Sequence, residues 1–321
     1  MKRRRAHGLA KLAFGALLAA WGCAAGSKIP GSAARPHSGQ SRRSESAYAE
    51  EILSWREARR LALTAPDGWL SLAGLHWLRE GANTFGSDPA NDFVVTQGHA
   101  PAHIGAFLLT AGRVRMEIHP GISVLHNGVP VQSIDLIADV SDDPTVLRLG
   151  TMSWHLIERG PGIGVRVRDS RAVARTKFTG IESFPIDPAW RVEAIFDPYD
   201  PPRELAVPTV LGTVSTQTCP GALLFTVNGR RCRLDAITYP GDPRLFIVFA
   251  DQTSGHESYG GGRFIYVDPP DAAGRTIVDF NKAHNPPCAF TPYATCPLPP
   301  PQNRLPIRIT AGEKRDTAGR H

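Results

Sequence analysis

Between Val278 and Leu305 the chain carries Pro286, Pro287, Pro292, Pro297, Pro299, Pro300 and Pro301, interleaved with Asn281, Asn285, Asn303, Cys288 and Cys296. Proline lacks a backbone N–H and its ring clashes with the preceding helical turn, so this density excludes a helix. Phe280, Phe290, Tyr293 and Leu298 add apolar content that a disordered linker lacks. The stretch therefore reads as an ordered loop laid over a folded body. Ordered loops of this length are uncommon in compact domains and often carry function.

The body beneath it reads as β structure. From Gly81 to Leu149, turn residues at Gly81, Asp88-Pro89, Gly98, Ala111-Gly112, Pro120-Gly121 and Asn127-Gly128 divide the chain into short strands. Turn signals at intervals of about 8–12 residues point to a sandwich or barrel, not a parallel α/β sheet. Further strands are expected over 153–157, 164–168, 190–196, 205–210, 222–227, 231–236, 245–250 and 263–267. One helix is expected, over 45–63. Ala47, Ile52, Trp55, Ala58 and Leu61 to Leu63 form its apolar face, and Glu50, Glu51, Arg56, Glu57, Arg59 and Arg60 its outer face. The expected fold is mainly β, an antiparallel sandwich or barrel-like body with one N-terminal helix.

The net charge of +6 over 321 residues suggests nucleic acid only until it is located. Lys2, Arg3, Arg4, Arg5 and Lys11 account for five of those charges, and the remainder is nearly neutral. No basic stripe interleaved with aromatics remains, so no nucleic-acid partner is expected. The basic start, the apolar run from Leu9 to Ala20 and the small-residue junction Gly22-Cys23 have the form of an export signal. The run is too short to span a bilayer, which takes about 20 residues. Ala20-Trp21-Gly22-Cys23 resembles the lipobox of bacterial lipoproteins. That resemblance implies lipidation of Cys23, a membrane anchor and a place in the cell envelope. The expected organisation is a signal over 1–22, a flexible tether over 23–44, the helix with a first β region over 45–150, a second β region over 151–313 and a tail over 314–321.

Export makes Cys219, Cys232, Cys288 and Cys296 candidates for disulfides, with three pairings open. A bridge from Cys288 to Cys296 would brace the proline segment. A four-thiolate zinc site lacks the short paired spacing it needs, so no metal is expected, and nothing implies a cofactor.

Three clusters bear chemistry. A glycine-rich loop, Asp251 to Arg263, follows a buried strand and holds Thr253, Ser254, His256, Glu257 and Tyr259. Its glycines permit close backbone approach, and Arg263 has the bidentate geometry for an anion; the plainer reading is a wide hairpin with an Arg–Asp brace. The proline segment contributes Asp279, Asn281, His284 and Asn285; the plainer reading is that its acid and amides satisfy backbone groups that prolines leave unpaired. In Arg166-Val167-Arg168-Asp169, alternation puts both arginines on one strand face, where they either line a concavity or pair with Asp169, and the pairing is the ordinary reading.

Two resemblances follow from these motifs. Gly81 to Asp88, Asn91-Asp92, His103-Ile104-Gly105 and His126-Asn127-Gly128 weakly resemble a forkhead-associated domain. Ser87 stands where that family's phosphate-binding arginine belongs, and Ala100-Pro101-Ala102-His103 lacks its serine, so the resemblance implies the sandwich and not phosphopeptide binding. The second rests on Gly68 to Leu78, Phe184 to Asp187, Asp251-x-Thr253-Ser254-Gly255, Tyr259-x-x-Gly262-Arg263, and Asp279-Phe280-Asn281 through Cys296-Pro297-Leu298-Pro299. Together these resemble the domain of unknown function 1684 family, over roughly residues 50–313. The family has Tyr at the position of His284, which shifts weight to Asp251, Arg263, Asp279, Asn281 and Asn285 as ligand-binding residues. The leading expectation is a small polar or anionic ligand held between the two loops, with Arg263 as the anion contact. Hydrolysis by Asp251, Asp279 or His256 and a structural role in the envelope are the alternatives.

Overall fold

The computed structural model describes residues 38–96 and 100–315, with side chains from Glu45 onward. The expected export signal, Cys23 and most of the expected tether lie outside the described residues, as does the chain after Arg315.

Helix α1 spans Ser38–Thr64, so it begins inside the stretch expected as tether. Its inner face also differs from expectation. Ile52 and Leu63 are buried, while Leu61 is exposed and Arg56 and Arg59 turn inward. The surface beneath the helix presents carbonyls and a carboxylate, which accept from guanidinium groups and give an alanine nothing to bind.

The first β region comprises β1 (Leu72–Trp77), β2 (Gly81–Gly86), β3 (Phe93–Val94), β4 (Gly105–Thr110), β5 (Arg113–Ile118), β6 (Val124–His126), β7 (Val129–Val131), β8 (Ser133–Leu136), β9 (Leu147–Leu149), β10 (Met152–Arg159) and β11 (Gly162–Asp169). These form a five-stranded sheet, β3-β2-β4-β5-β8, and a six-stranded sheet, β1-β11-β10-β9-β6-β7. All pairings are antiparallel except β2 with β3. Strand β5 shows the logic: Val114, Met116 and Ile118 are buried while Arg113, Arg115 and Glu117 face outward. Phe85, Phe107 and Met116 from one sheet meet Leu147, Trp154 and Val165 from the other in one core, and Trp154 Nε1 lies 3.2 Å from Met116 Sδ. The region runs on to Asp169 instead of ending near residue 150, because the β10–β11 hairpin is the middle of the six-stranded sheet.

After a short helix α2 (Val173–Thr176) come β12 (Arg191–Pro208), β13 (Val214–Val227), β14 (Arg230–Asp235), β15 (Ile237–Tyr239), β16 (Asp242–Phe249), β17 (Arg263–Val267) and β18 (Arg275–Asp279). They build a four-stranded sheet, β14-β13-β12-β18, and a three-stranded sheet, β15-β16-β17, around Leu223, Phe225, Ile247, Phe249, Ile265 and Phe280. Strand β12 joins two strands that sequence alone separates. Its ladder with β13 is interrupted after Pro198, across Pro201 and Pro202, and pairing resumes at Arg203.

The proline segment is an ordered loop with three single turns of 3-10 helix, at Phe280–Lys282, Pro287–Ala289 and Pro301–Asn303. Asn303 ties it down from a fully buried position. Its amide donates to the carbonyls of Asp235 (2.9 Å) and Val248 (3.0 Å) and accepts from Asp235 N (2.8 Å), linking the ends of β14 and β16.

Candidate functional site

Arg263 and Asp251 do meet, but inside the protein. Both side chains are fully buried, with Arg263 Nη2 3.1 Å from Asp251 Oδ1. Arg263 also donates to the carbonyls of Ile309 (3.1 Å) and Ala311. Asp251 accepts from Thr253 Oγ1 (2.9 Å), Ser254 Oγ (3.3 Å) and the backbone N–H of Ile309 (2.7 Å). The pair clips the C-terminal residues 309–311 onto the body, and burial pushes the Arg263 guanidinium below its ordinary pKa. Arg263 therefore cannot be the anion contact. The glycines next to it answer the same packing. Gly262 has φ +84°, and a Cβ there would lie 2.3 Å from Pro299 Cγ, so the proline segment, not a ligand, makes the close approach.

Asp279, Asn281 and Asn285 belong to a separate network that seats α1. Tyr48 Oη donates to Asp279 Oδ1 at 2.9 Å and accepts from Asn281 Nδ2 at 2.9 Å. Asn281 also spans to Asp187, accepting from its N–H (3.1 Å) and donating to its carbonyl (2.9 Å). One turn on, Lys282 Nζ meets Glu51 at 2.6 Å. Arg59 then bonds the Asn285 carbonyl (2.8 Å) and Glu313 (3.3 Å), and Glu313 Oε2 accepts from Asn285 N (2.7 Å). Burial raises the Glu313 pKa against the pull of Arg59. Two buried acceptors in this network, Asp279 Oδ2 and Asn285 Oδ1, have no hydrogen-bond partner, nor does Arg56 Nε on the helix above. A cavity of about 500 Å³ lined by Glu45, Tyr48, Ala49, Ile186 and Pro188 opens at the Tyr48 end of the seam. Another, of about 370 Å³, lies at the Glu313 end beside Arg56 and Ser183.

His284 is a core residue. It packs against Trp55, Phe264 and Tyr266, and burial lowers its pKa to about 3, with Arg59 adding to the effect. His256 is exposed on its loop. All four candidate cysteines are free thiols, contrary to the expected bridges. Cys219 and Cys232 lie in different apolar clusters and bond different carbonyls, those of Gly221 and Arg230. Cys288 and Cys296 are adjacent: Cys288 N lies 3.2 Å from Cys296 Sγ. Among the described residues no group of three His, Cys, Asp or Glu is placed to hold a metal, and no helix is long and apolar enough to cross a membrane.

The cluster read as ordinary surface charge is not on the surface. Arg166 is 3% exposed, and Arg168 is half-buried beside it. Neither pairs with Asp169, whose side chain accepts from Arg171 N at 2.8 Å. Arg166 donates to the neutral Thr295 Oγ1 at 3.2 Å, and its Nε has no partner. Arg168 donates to the carbonyls of Asp67 and Gly68. The two guanidinium carbons stand 5.6 and 5.8 Å from the Trp69 ring. Such a cation–π contact contributes about 0.5–2 kcal/mol. Removing a guanidinium from water costs several kcal/mol, so the contacts of Arg166 leave its charge under-compensated. Its pKa falls accordingly, to about 10, through burial and repulsion from Arg159 and Arg168.

Residues 176–314 match the family model described as protein of unknown function (DUF1684). That stretch is similar to the DUF1684 family. It contains the Arg263–Asp251 brace, the proline segment and Glu313, while α1 and the first β region lie before it. A solution structure of an uncharacterized protein from Haloarcula marismortui is 32% identical to the chain, covering 45% of it and 80% of that protein, with a TM-score of 0.39. Two FHA domain structures, one of FhaA in complex with an intracellular domain and one from work on phosphothreonine-dependent FHA interactions, are each 19% identical. They cover 29% of this chain and 97% and 92% of their own, both with a TM-score of 0.21. No curated protein matches the chain.

Sequence reasoning missed Tyr48, Arg59 and Glu313. Tyr48, Ile52, Arg59 and Leu63 do fall on one helical face, but nothing in the sequence says that the surface opposite is polar.

Proposed function

We propose that this chain is an exported protein, lipid-anchored to a bacterial envelope membrane through Cys23, whose DUF1684 domain binds a small polar ligand along the seam between α1 and the proline segment. Asp279, Asn281 and Asn285 form the floor of that site. The observation that carries the reading is the pair of buried acceptors that receive no hydrogen bond, Asn285 Oδ1 and Asp279 Oδ2, the latter with only Lys282 Nζ at 3.9 Å. An unmet buried acceptor costs about 1–3 kcal/mol, and two along one seam favour a guest that donates hydrogen bonds. The cavities at both ends of the seam supply volume for hydroxyl or amino groups. Arg263 and Asp251 have no part in it.

The test is thermal stabilisation of the exported chain by a panel of polyols, amino sugars and amino acids, with Asp279→Asn as the control. A saturable rise in Tm that Asp279→Asn removes supports the reading. No response from the wild type, or an undiminished response from the variant, ends it and leaves a structural role in the envelope. Turnover of an ester, phosphate or glycoside substrate that is lost in Asp279→Asn would replace binding with hydrolysis.

A further inference from the structure

We propose that the outer face of the β10–β11 hairpin is a second site, one that binds a small oxyanion such as a phosphoryl or carboxylate group between Arg166, Arg168 and His155. The pairing register builds it. Arg166 lies opposite His155 and Arg168 opposite Ser153, so all four side chains share one face of the six-stranded sheet. Trp154 and Val167 alternate with them into the first core, which fixes the hairpin rigidly. Thr295 of the proline segment comes from the other side and orients Arg166 through its hydroxyl.

The charges on this face do not balance. Arg159, at the end of β10, is neutralised by Asp139 at 2.6 Å. Among the described residues neither Arg166 nor Arg168 forms an ion pair, and their donors go to carbonyls, a hydroxyl or nothing. The Arg166 Nε–H, buried and unmatched, is the donor that a second oxygen of an oxyanion would occupy, since a guanidinium edge binds two oxygens side by side. Burial and the two arginines hold the neighbouring His155 neutral, with its pKa lowered to about 4. A neutral imidazole can donate one N–H to the anion without adding to the repulsion.

This site shares no residue with the α1 seam, so the two readings stand or fall separately. The test is isothermal titration of the full chain with inorganic phosphate, sulfate and acetate at constant ionic strength in chloride, alongside thermal shift. Wild type is expected to show saturable binding of at least one of the three. Arg168→Gln, a half-buried position that should fold, is expected to weaken it at least tenfold, and Arg166→Gln to abolish it. Without anion, Arg166→Gln is expected to melt at or above the wild-type temperature, because it removes an uncompensated buried charge. Asp279→Asn should bind the anion as wild type does. Absence of saturable binding in the wild type, unchanged affinity in Arg168→Gln, or a lower anion-free melting temperature in a folded Arg166→Gln would each overturn the proposal.

Discussion

Tyr48 and Asp279 stand 231 positions apart in the chain and share a 2.9 Å hydrogen bond, with Asn281 completing the triangle from the same proline-segment turn. The Tyr48 hydroxyl adds one bond to each of two groups that also bond each other at 3.3 Å and keep further partners in Asn281 N and the Asp187 carbonyl. Tyr48→Phe is expected to lower stability by about 0.5–1.5 kcal/mol, the net worth of a hydrogen bond whose partners retain others. A urea midpoint unchanged from wild type would show that water replaces the hydroxyl without loss.

Arg263→Met is expected to be the most damaging single change among the sequence-nominated site residues. It leaves the Asp251 carboxylate fully buried beside no cation, and breaking one half of a buried pair costs about 3–5 kcal/mol. Chemical denaturation of Arg263→Met against the double variant Arg263→Met/Asp251→Asn checks the cause. The double variant should recover part of the loss.

His284 predicts an acid limb in the stability curve. Its folded pKa, about 3, lies below the ordinary value of 6.5. Between those values the unfolded chain binds a proton that the folded chain refuses, so the stability contribution is complete above about pH 6.5 and declines as pH falls toward 3. The slope approaches about 1.4 kcal/mol per pH unit for one such group. His155 acts in the same direction down to about pH 4, whereas the raised Glu313 pKa opposes it above the usual carboxylate value. In His284→Phe the decline between pH 6.5 and 4 should be shallower by urea titration.

Among the described residues, Cys288 and Cys296 are the one cysteine pair placed to oxidise. The two thiols hydrogen-bond each other, an arrangement that lowers the Cys288 pKa and raises that of Cys296, and Tyr259 Oη lies 3.7 Å from Cys288 Sγ. With oxidised glutathione, the Cys288 thiolate attacks the disulfide and expels one glutathione thiolate. Cys296 then displaces the second, leaving an intramolecular disulfide and two reduced glutathiones. Peptide mapping is expected to find this bridge and none between Cys219 and Cys232. Labelling of both Cys288 and Cys296 as free thiols after that treatment would contradict it.

The sandwich is legible in the sequence because its cause is local. In β5 the alternation of Val114, Met116 and Ile118 with charged neighbours states which face is inside, and Asn127-Gly128 and Asn228-Gly229 mark their hairpins with positive φ at both residues. The candidate residues were legible as a group, but not their roles. Arg263 looks the same in sequence whether it meets a ligand or the Ile309 and Ala311 carbonyls, and only the fold of the last residues decides. Arg56 and Arg59 read as solvent-facing because charge ordinarily faces water, and the polar floor beneath them comes from residues more than a hundred positions away. Arg166 reads as a surface residue for the same reason, although the proline segment covers it with Thr295.

The seating of α1 also sets an order of events. Its partners lie at Phe184, Asp279, Lys282, Asn285 and Glu313, the last separated from Arg59 by 254 positions. During synthesis the helix emerges early, yet its anchoring groups are made only after more than a hundred further residues have followed. Contacts of such sequence separation form late and slowly, after local hairpins have closed. The first element made is thus the last to be locked. A chain truncated before Asp279 would keep only the Phe184 contact of those five, a state that a protease acting on α1 would detect.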